Sequence, residues 1–537
     1  MESILTNLQS SDYARITLVI VNGSRNPPSA FASRLSHLPR LPFSLYRKLD
    51  YRLFSRRVAH DAFHRMSTEH VLRGVPTMTV TPLRRQSFDR FRDEDVRAVL
   101  AHEIDVLLQF GFRTIEGPML QAARFGVWSL VHGVAGSRQG SPALFWEMFD
   151  RSQISVAALQ IVTDDPGEGR VIYRSIGRVD LTSLFRSRNE NSWKAARFVE
   201  RRLLDLHDRG PGSLASASAD VARPAETRGV PGPMCVATVA ARAGVEFGRA
   251  QVRRRTNVGQ WFVAWGPRED RIPGIDYHPS FRELPSPPGY SLADPFLAEH
   301  DGRIFAFVEL LPQRGPAADI AVFELGAESP SEPVTVLHRD YHLSYPAVFR
   351  WNDAWFMTPE TSRNRTVELY RAVEFPWRWD LDTVLLSGLD AVDPTLFEHH
   401  GRWWLYANIA SFGASLNDEL HLFWAESPRG PFIPHGSNPV VSDVRRSRPA
   451  GRPFVHDGNL YRPAQNCAIR YGHSISINRI DQLDIEQYRE VPVGKILPSW
   501  LPGAIGTHTF NMSERYVITD GYRMVPRWGT VRPARPT

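Results

Sequence analysis

Two kinds of hydrophobic spacing divide this chain. In its first part, continuous apolar runs alternate with segments of helical period. Positions 14–21, 103–112 and 126–133 each read as a largely apolar run, the last two with a glycine at or next to the end, and 171–173 is a shorter one. Runs of this kind predict strands buried on both faces, the condition of parallel strands. Ser141-Pro142 opens 141–147 with a capping residue and a first-turn proline, which predicts a helix start. From 191 to 207, Trp193, Ala196, Phe198, Val199, Leu203 and Leu204 recur at helical spacing and predict a helix that closes a first domain.

After residue 208 the pattern breaks into glycine, serine, alanine and proline, with Pro224, Pro231 and Pro233 among them. Such composition predicts a linker and lead-in over 209–260. The expected layout is therefore an α/β domain at 1–208 and a second domain at 261–537. In this second part the runs are shorter, tryptophan and phenylalanine are frequent, and turn residues return at intervals.

Those intervals form an internal repeat. Asp294-Pro295, Tyr345-Pro346, Asp393-Pro394 and Ala450-Gly451 are each followed eight residues after the anchor by a turn, at Gly302, Asp353, Gly401 and Gly458. A fifth, weaker unit runs from His508 past Tyr516 to Asp520-Gly521. Repeats of about fifty residues built from short antiparallel strands predict propeller blades, because each buries its faces only by stacking. In a five-bladed propeller the anchors face a central channel, where Asp294, Asp393, Arg448 and His508 would converge, with Glu309 and Glu360 beside them.

Composition narrows the function classes. The 537 residues carry 64 basic and 58 acidic side chains, formally +6, and hydrophobic residues make up 42%. The arginines are spread among acids, so a nucleic-acid surface is not favoured. Two cysteines, Cys235 and Cys467, are too few for a disulfide framework or a cysteine-rich metal site. No apolar run reaches membrane-span length and the N-terminus lacks a signal-like basic start, so a cytoplasmic location is expected. No nucleotide-cradling glycine loop or paired histidine ligands stand out, and no metal is expected; His399-His400 reads as a turn.

The order in 103–173 of strand, helix, strand, loop closing in Gln-Gly, helix and strand resembles the N-terminal domain of folate-dependent formyltransferases that act on methionyl-tRNA or sugars. The resemblance spans roughly 14–205 and implies a Rossmann-like parallel sheet. Aligned without gaps, the family's catalytic Asn, His and Asp fall on Ser129, Val131 and Gly167. One gap would put His132 in the histidine position, with Asp164, Asp165 or Glu168 as its carboxylate. Formyl transfer needs an oxyanion donor and a base, and the resemblance assigns this to His132, Ser129, Asp165 and Glu168. It also implies N10-formyltetrahydrofolate as co-substrate, held around Gln109, Phe110 and Gly111.

The repeat resembles the propellers of furanosidase-type glycoside hydrolases. It is also similar to the N-terminal propeller of plant glucosamine inositolphosphorylceramide transferases, through Arg448-Pro449-Ala450-Gly451-Arg452 and Tyr461-Arg462-Pro463-Ala464-Gln465. This resemblance implies carbohydrate recognition, with Asp294 and Asp393 where the hydrolases place acids and Glu309 or Glu360 as proton donor. Trp355, Trp377, Trp379, Trp403 and Trp404 would stack on sugars or pack between blades. The leading expectation is formyl transfer to an amino sugar, free, nucleotide-linked or within a glycan, beside a carbohydrate-recognising propeller. The alternative is a degenerate first domain in a glycan-binding, glycosidase or glycosyl-transfer-associated protein.

Overall fold

The computed structural model of the chain describes residues 1–24, 41–85, 88–133, 142–164, 169–214, 228–274, 277, 279–315, 317–326, 330–410, 413–500 and 503–527. Two compact units emerge, one of residues 1–248 with 411–414 and one of residues 249–410 with 415–537.

In unit 1 the described strands form three small sheets. Val19–Asn22 pairs in parallel with Thr77–Val80. Phe88–Arg90 lies between antiparallel Leu83–Arg85 and parallel Thr114–Glu116. The largest sheet has the order Leu107–Leu108, Val127–His132, Ile154–Ile161, Arg170–Arg178. Only its first pair is parallel. The expected Rossmann-like parallel sheet is thereby corrected to a mixed one. Apolar runs report burial on both faces, and Val127 and Trp128 are almost wholly buried; they do not report strand direction.

Helix Leu184–Arg209 crosses this sheet. It starts at Ser183, whose side chain accepts the Arg186 N–H, an N-cap that contributes about 1 kcal/mol. Asn191 Nδ2 donates to Val156 O at 3.3 Å, and Ala195, Phe198 and Val199 pack on Trp128, Ala157 and Leu159. In the stretch read as linker, Pro233–Thr256 is a 24-residue helix. Val236, Val239 and Ala243, at i, i+3 and i+7, are its buried residues, and the two valines pack on Phe145, Met148 and Leu184.

Unit 2 is an all-β propeller. Four antiparallel sheets follow in sequence. The first runs from Tyr290–His300 to Val334–Leu337. The second runs from Ser344–Trp351 to Arg378–Ser387. The third opens with Ala391–His399, and the fourth runs from Phe454–His456 to Tyr488–Ile496. A fifth joins Asn257–Pro267 to Tyr516–Pro526, so the two ends of the unit share one blade.

The core closes this ring in five joints. Phe307 and Val322 meet Tyr345 and Met357 between the first and second blades. Phe356 and Leu369 meet Leu396 and Leu405, and then Tyr406 and Leu422 meet Leu460 and Ile480. Ile475 and Ile477 meet Phe510 and Val517, and Val263 and Ile518 meet Leu292 and Val308. Each such buried side chain contributes roughly 1.5–3 kcal/mol, and a lone blade would forfeit most of it. Trp355, Trp379, Trp403 and Trp404 are spent in these joints, whereas Trp377 is partly exposed.

Two-residue hairpins set the repeat. Asp301-Gly302, Asn352-Asp353, His400-Gly401 and Asp457-Gly458 have positive φ at both central positions, the geometry that matches strand twist and selects Asp, Asn and Gly. The fifth unit departs from expectation, because Asp520-Gly521 lies inside strand Tyr516–Pro526 rather than in a turn.

Candidate functional site

The site in unit 2 is built from a β-bulge repeated around the ring. Pairing slips between Ala293 and Phe296, between Ser344 and Ala347, and between Val392 and Thr395. Asp294, Tyr345 and Asp393 sit there with φ of 49°, 48° and 52°, and the bulge turns each side chain out of the alternation. The following prolines need no ladder donor. Opposite the bulges, Ala293 pairs with Glu309, Ser344 with Glu360 and Val392 with Asn408. Each partner falls fifteen residues after its anchor, and the same offset from Ala450 leads to Gln465. In the fifth blade Asp520 takes this place, its N–H donating to Thr509 O. All five side chains are buried.

Asp393 and Arg448 form the most tightly held pair of the hub. Arg448 Nε donates to Asp393 Oδ2 at 2.6 Å and Nη2 to Oδ1 at 3.1 Å, while Gln465 Nε2 donates to Oδ2 at 2.7 Å. Burial pushes the Asp393 carboxyl up to about 6, against the opposing pull of Arg448. The guanidinium also lies 4.7 Å from the Tyr471 ring centre, a cation–π contact. Glu360 Oε2 accepts the Asp393 N–H at 3.2 Å and its Oε1 accepts Ser362 Oγ at 2.7 Å.

Asp294 and His508 form a second group. Thr509 Oγ1 donates to Asp294 Oδ1 at 2.6 Å, and His508 Nε2 lies 3.6 Å from the same oxygen. Burial raises the Asp294 carboxyl to about 6, partly countered by His508. Burial also lowers the His508 pKa, but the Asp520 and Asp294 carboxylates overcome it and the net direction is up. His508 stacks on Trp261 with ring centres 4.0 Å apart. Gly472 lets the neighbouring loop approach, since a Cβ there would stand 2.9 Å from Trp261 and 3.0 Å from His508.

Glu309 is the least engaged carboxyl. Its partner is His342, with Nε2 3.3 Å from Oε1; His342 Nδ1 accepts the Ala318 N–H at 3.2 Å, so the neutral ring carries its proton on Nε2, toward Glu309. Burial, reinforced by Asp294 and Glu360, holds Glu309 well above the ordinary carboxylate range. The hub therefore sets Glu309, which holds its proton more firmly than an ordinary carboxylic acid, beside Asp294 and Asp393.

Ligand atoms of Asp294, His508 and Asp520 lie within 4.8 Å of one another, a spacing open to a metal ion. The carboxylate oxygens are already engaged, however. Asp520 Oδ1 accepts the His508 and Thr509 N–H groups, and its Oδ2 accepts the Asp294 N–H and touches His508 Nδ1 at 2.5 Å. The set does not fit a cation without losing these bonds.

The structure brings all six residues expected in the propeller channel to the same buried centre, Asp393, Arg448 and Glu360 in one bonded group, Asp294 and His508 in a second, and Glu309 beside them on His342. Sequence reasoning missed Gln465, Asp520, Thr509, His342, Trp261 and Tyr471. The fifteen-residue offset would have found Gln465.

Unit 1 presents a different picture. Ser129 pairs with Gln160 and His132 with Ala157 on adjacent strands. Burial, then the cations Arg188 and Lys194, lower the His132 pKa to about 4. Asp165 and Glu168 lie outside the described residues, and Asp164 Oδ1 accepts the Gly117 N–H. Gln109 and Phe110 line a cavity of about 900 Å³ with Ile16, Leu18, Leu108 and Phe125. Gln109 Nε2 donates to Phe112 O and Arg113 O, so its amide fixes the turn, and Gly111 supplies that turn's φ of 75°.

Known proteins resemble the propeller region. Residues 282–501 match the family described as glucosamine inositolphosphorylceramide transferase 1, N-terminal. A protein named glucosamine inositolphosphorylceramide transferase 1 from Oryza sativa subsp. japonica is 35% identical over 215 residues, covering 38% of this chain and 28% of its own length. Its Arabidopsis thaliana namesake is 37% identical over 211 residues with the same coverage. The matched region thus spans about a quarter of these relatives. Solved structures that are similar include a family 117 glycoside hydrolase of Zobellia galactanivorans, at 14% identity over 49% of this chain and 90% of that one, TM-score 0.33. Another is a GH43_1 enzyme of Xanthomonas citri, at 12% identity over 45% and 89%, TM-score 0.34. At such scores neither decides anything about this chain. The sequence relatives do overturn one expectation: they are sugar-lipid transferases by name, so formyl transfer is withdrawn, and with it the folate co-substrate and the formyl-transfer roles of His132, Ser129, Asp165 and Glu168. The mixed sheet agrees with that correction.

Proposed function

We propose that unit 2 is the sugar-recognising part of a glycan-processing protein, with the sugar seated on the carboxylate hub. One observation carries this: buried acids and Arg448 converge beside Tyr471, which is 40% exposed. Sugar hydroxyls donate to carboxylates and accept from a guanidinium, while the C–H face of the ring lies on an aromatic side chain. The names of the relatives support a sugar-handling role and an enzymatic setting. The substrate class is a glycan or nucleotide-linked sugar, amino sugars included.

A second reading rests on the split between Glu309 and Asp294. A protonated carboxyl beside an ionised one is the arrangement for acid–base work on a glycosidic bond. Glu309 would protonate the leaving oxygen, and Asp294 would take the proton of the incoming hydroxyl or water. Calorimetry of the full chain against a panel of glycans and nucleotide sugars, with product release followed in parallel, tests both. Binding weakened in Tyr471→Ala at unchanged stability supports recognition; turnover lost in Glu309→Gln with binding retained adds catalysis. Failure of every sugar to bind would remove both readings.

A further inference from the structure

We infer that helix Leu41–Phe54 of unit 1 is a membrane-interface helix that docks on anionic lipid. This 14-residue helix is apolar on two faces. Its inner face packs inward: Phe43 and Tyr46 lie against Phe145 and its neighbours, Asp50 and Phe54 are buried, and Phe54 meets Phe247 edge-on at 6.2 Å. The outer face repeats leucine every four residues. Leu41, Leu45, Leu49 and Leu53 are 56%, 70%, 56% and 53% exposed. Four residues advance a helix by little more than one turn, so these side chains form one sloping stripe that drifts by about 120° over its length. Isolated exposed leucines need no explanation, but an aligned row of four marks a surface that something covers.

The charges beside the stripe say what covers it. Between Asp12 and Asp61 the chain has nine Lys and Arg residues and one acid, Asp50. That surplus exceeds the formal +6 of the whole chain. Asp50 is turned inward, accepting the Phe185 N–H at 2.6 Å. Asp61 is held by the Tyr51 hydroxyl at 2.6 Å. Arg47, Lys48, Arg52 and Arg56 are exposed, and none has an ion pair or hydrogen bond among the described residues. Arg57 rests on the Phe54 and Phe247 rings instead of an acid.

Elsewhere arginines find acids, as Arg303 does on Glu324 and Arg429 on Asp382. Unpaired cations flanking a leucine stripe complement a surface that is anionic at its boundary and apolar just beneath, which describes an anionic bilayer. A nucleic acid would satisfy the cations but not the leucines. At 14 residues the helix is too short to span a bilayer and would lie along it. Among the described residues no helix is long and apolar enough to cross a membrane.

Co-sedimentation of the full chain with vesicles tests this. Vesicles of phosphatidylcholine mixed with phosphatidylglycerol should bind at least about tenfold more tightly than phosphatidylcholine alone, and added salt should weaken the difference. Leu45→Glu with Leu49→Glu should abolish vesicle binding. Arg52→Glu with Arg56→Glu should remove the preference for the anionic lipid. All four positions are exposed, and an unchanged melting curve would confirm folding. Equal binding to both vesicles, or vesicle binding unaffected by the leucine changes, overturns the inference. Self-association that Leu45→Glu abolishes, without vesicle binding, overturns it in favour of a second copy of the chain.

Discussion

The propeller hub and the surroundings of His132 in unit 1 treat buried charge in opposite ways. In the propeller three buried cations are matched: Arg462 is clamped by Glu490 at 2.9 and 2.7 Å, Arg448 by Asp393, and His508 by Asp520. Around His132 in unit 1, the charged groups that act on its ring are both cations. A closed ring of blades can afford a polar centre, because each acid is supplied with a donor by the next blade. Unit 1 holds its buried acids singly, Asp89 on Arg113 at 2.8 Å and Asp50 on the Phe185 N–H, and leaves His132 beside cations. The consequence is that substitutions at comparable burial should have very different effects in the two units.

The largest contrast is expected between Arg448→Met and His132→Ala. Removing Arg448 strands the Asp393 carboxylate in a buried site, which costs about 3–5 kcal/mol. The double change Arg448→Met with Asp393→Asn should recover most of that loss, since no uncompensated charge remains. His132→Ala removes a group that gains nothing from its charge, so unit 1 should change by far less. Denaturant unfolding followed by hydrogen exchange in each unit would measure both. Equal losses in the two units would end the comparison.

Stability should also depend on pH with opposite slopes. Asp294 and Asp393 titrate near 6 when folded, against 3.8 ordinarily. Between those values the folded propeller holds more protons than the unfolded chain, so its stability is full at low pH and falls as pH rises to about 6. Glu309 and His508, both raised, extend the same trend upward. His132 runs the other way. Its folded pKa of about 4 lies below the ordinary 6.5, so as pH falls through that window the unfolded chain binds protons first and unit 1 loses stability, on the order of 1 kcal/mol. Unit-resolved exchange at about pH 4.5 and pH 6.5 should show the propeller better protected at the lower value and unit 1 at the higher. His132→Gln should flatten only the second slope, and parallel slopes would contradict the assignment of these groups.

The same difference explains what could be read from sequence. A two-residue hairpin with positive φ at both positions restricts residue choice, so Asp301-Gly302, His400-Gly401 and Asp457-Gly458 are visible at a fixed distance from their anchors. The bulge residues Asp294 and Asp393 were legible for the same reason. Asp520 escaped because the fifth blade makes a shorter connection, from Met512 to Tyr516, which breaks the fifteen-residue offset. Trp261 escaped because it belongs to the strand that joins the two ends of the propeller, far from the repeat it completes. In unit 1 no local geometry restricted the residues in this way. An apolar run such as 126–133 fits a strand with parallel neighbours on both sides equally well as one, like Val127–His132, with one parallel and one antiparallel neighbour. The order of elements suggested a formyltransferase, but order alone does not carry strand direction.

The smallest expected effect separates the sugar-facing surface from its support. Trp261 stacks on His508 and Trp355 fills a joint between blades, so changing either would disturb the fold. Tyr471 is different. It carries the Arg448 guanidinium and meets His508 edge-on at 5.2 Å, yet the residue is 40% exposed. Tyr471→Ala should therefore leave the propeller's stability within about 0.5 kcal/mol. If a sugar lies on that ring, its affinity should fall by roughly 5- to 10-fold, the worth of one aromatic face at about 1 kcal/mol. Tyr471→Phe keeps the face and should bind nearly as the original does. Phe63 of unit 1 is similarly exposed and also carries a guanidinium, that of Arg188 at 4.7 Å, which makes Phe63→Ala the matched control with no expected effect on sugar affinity. Equal losses at Tyr471 and Phe63 would mean that the measured affinity does not come from the hub, and an unchanged affinity in Tyr471→Ala would place the sugar away from that face.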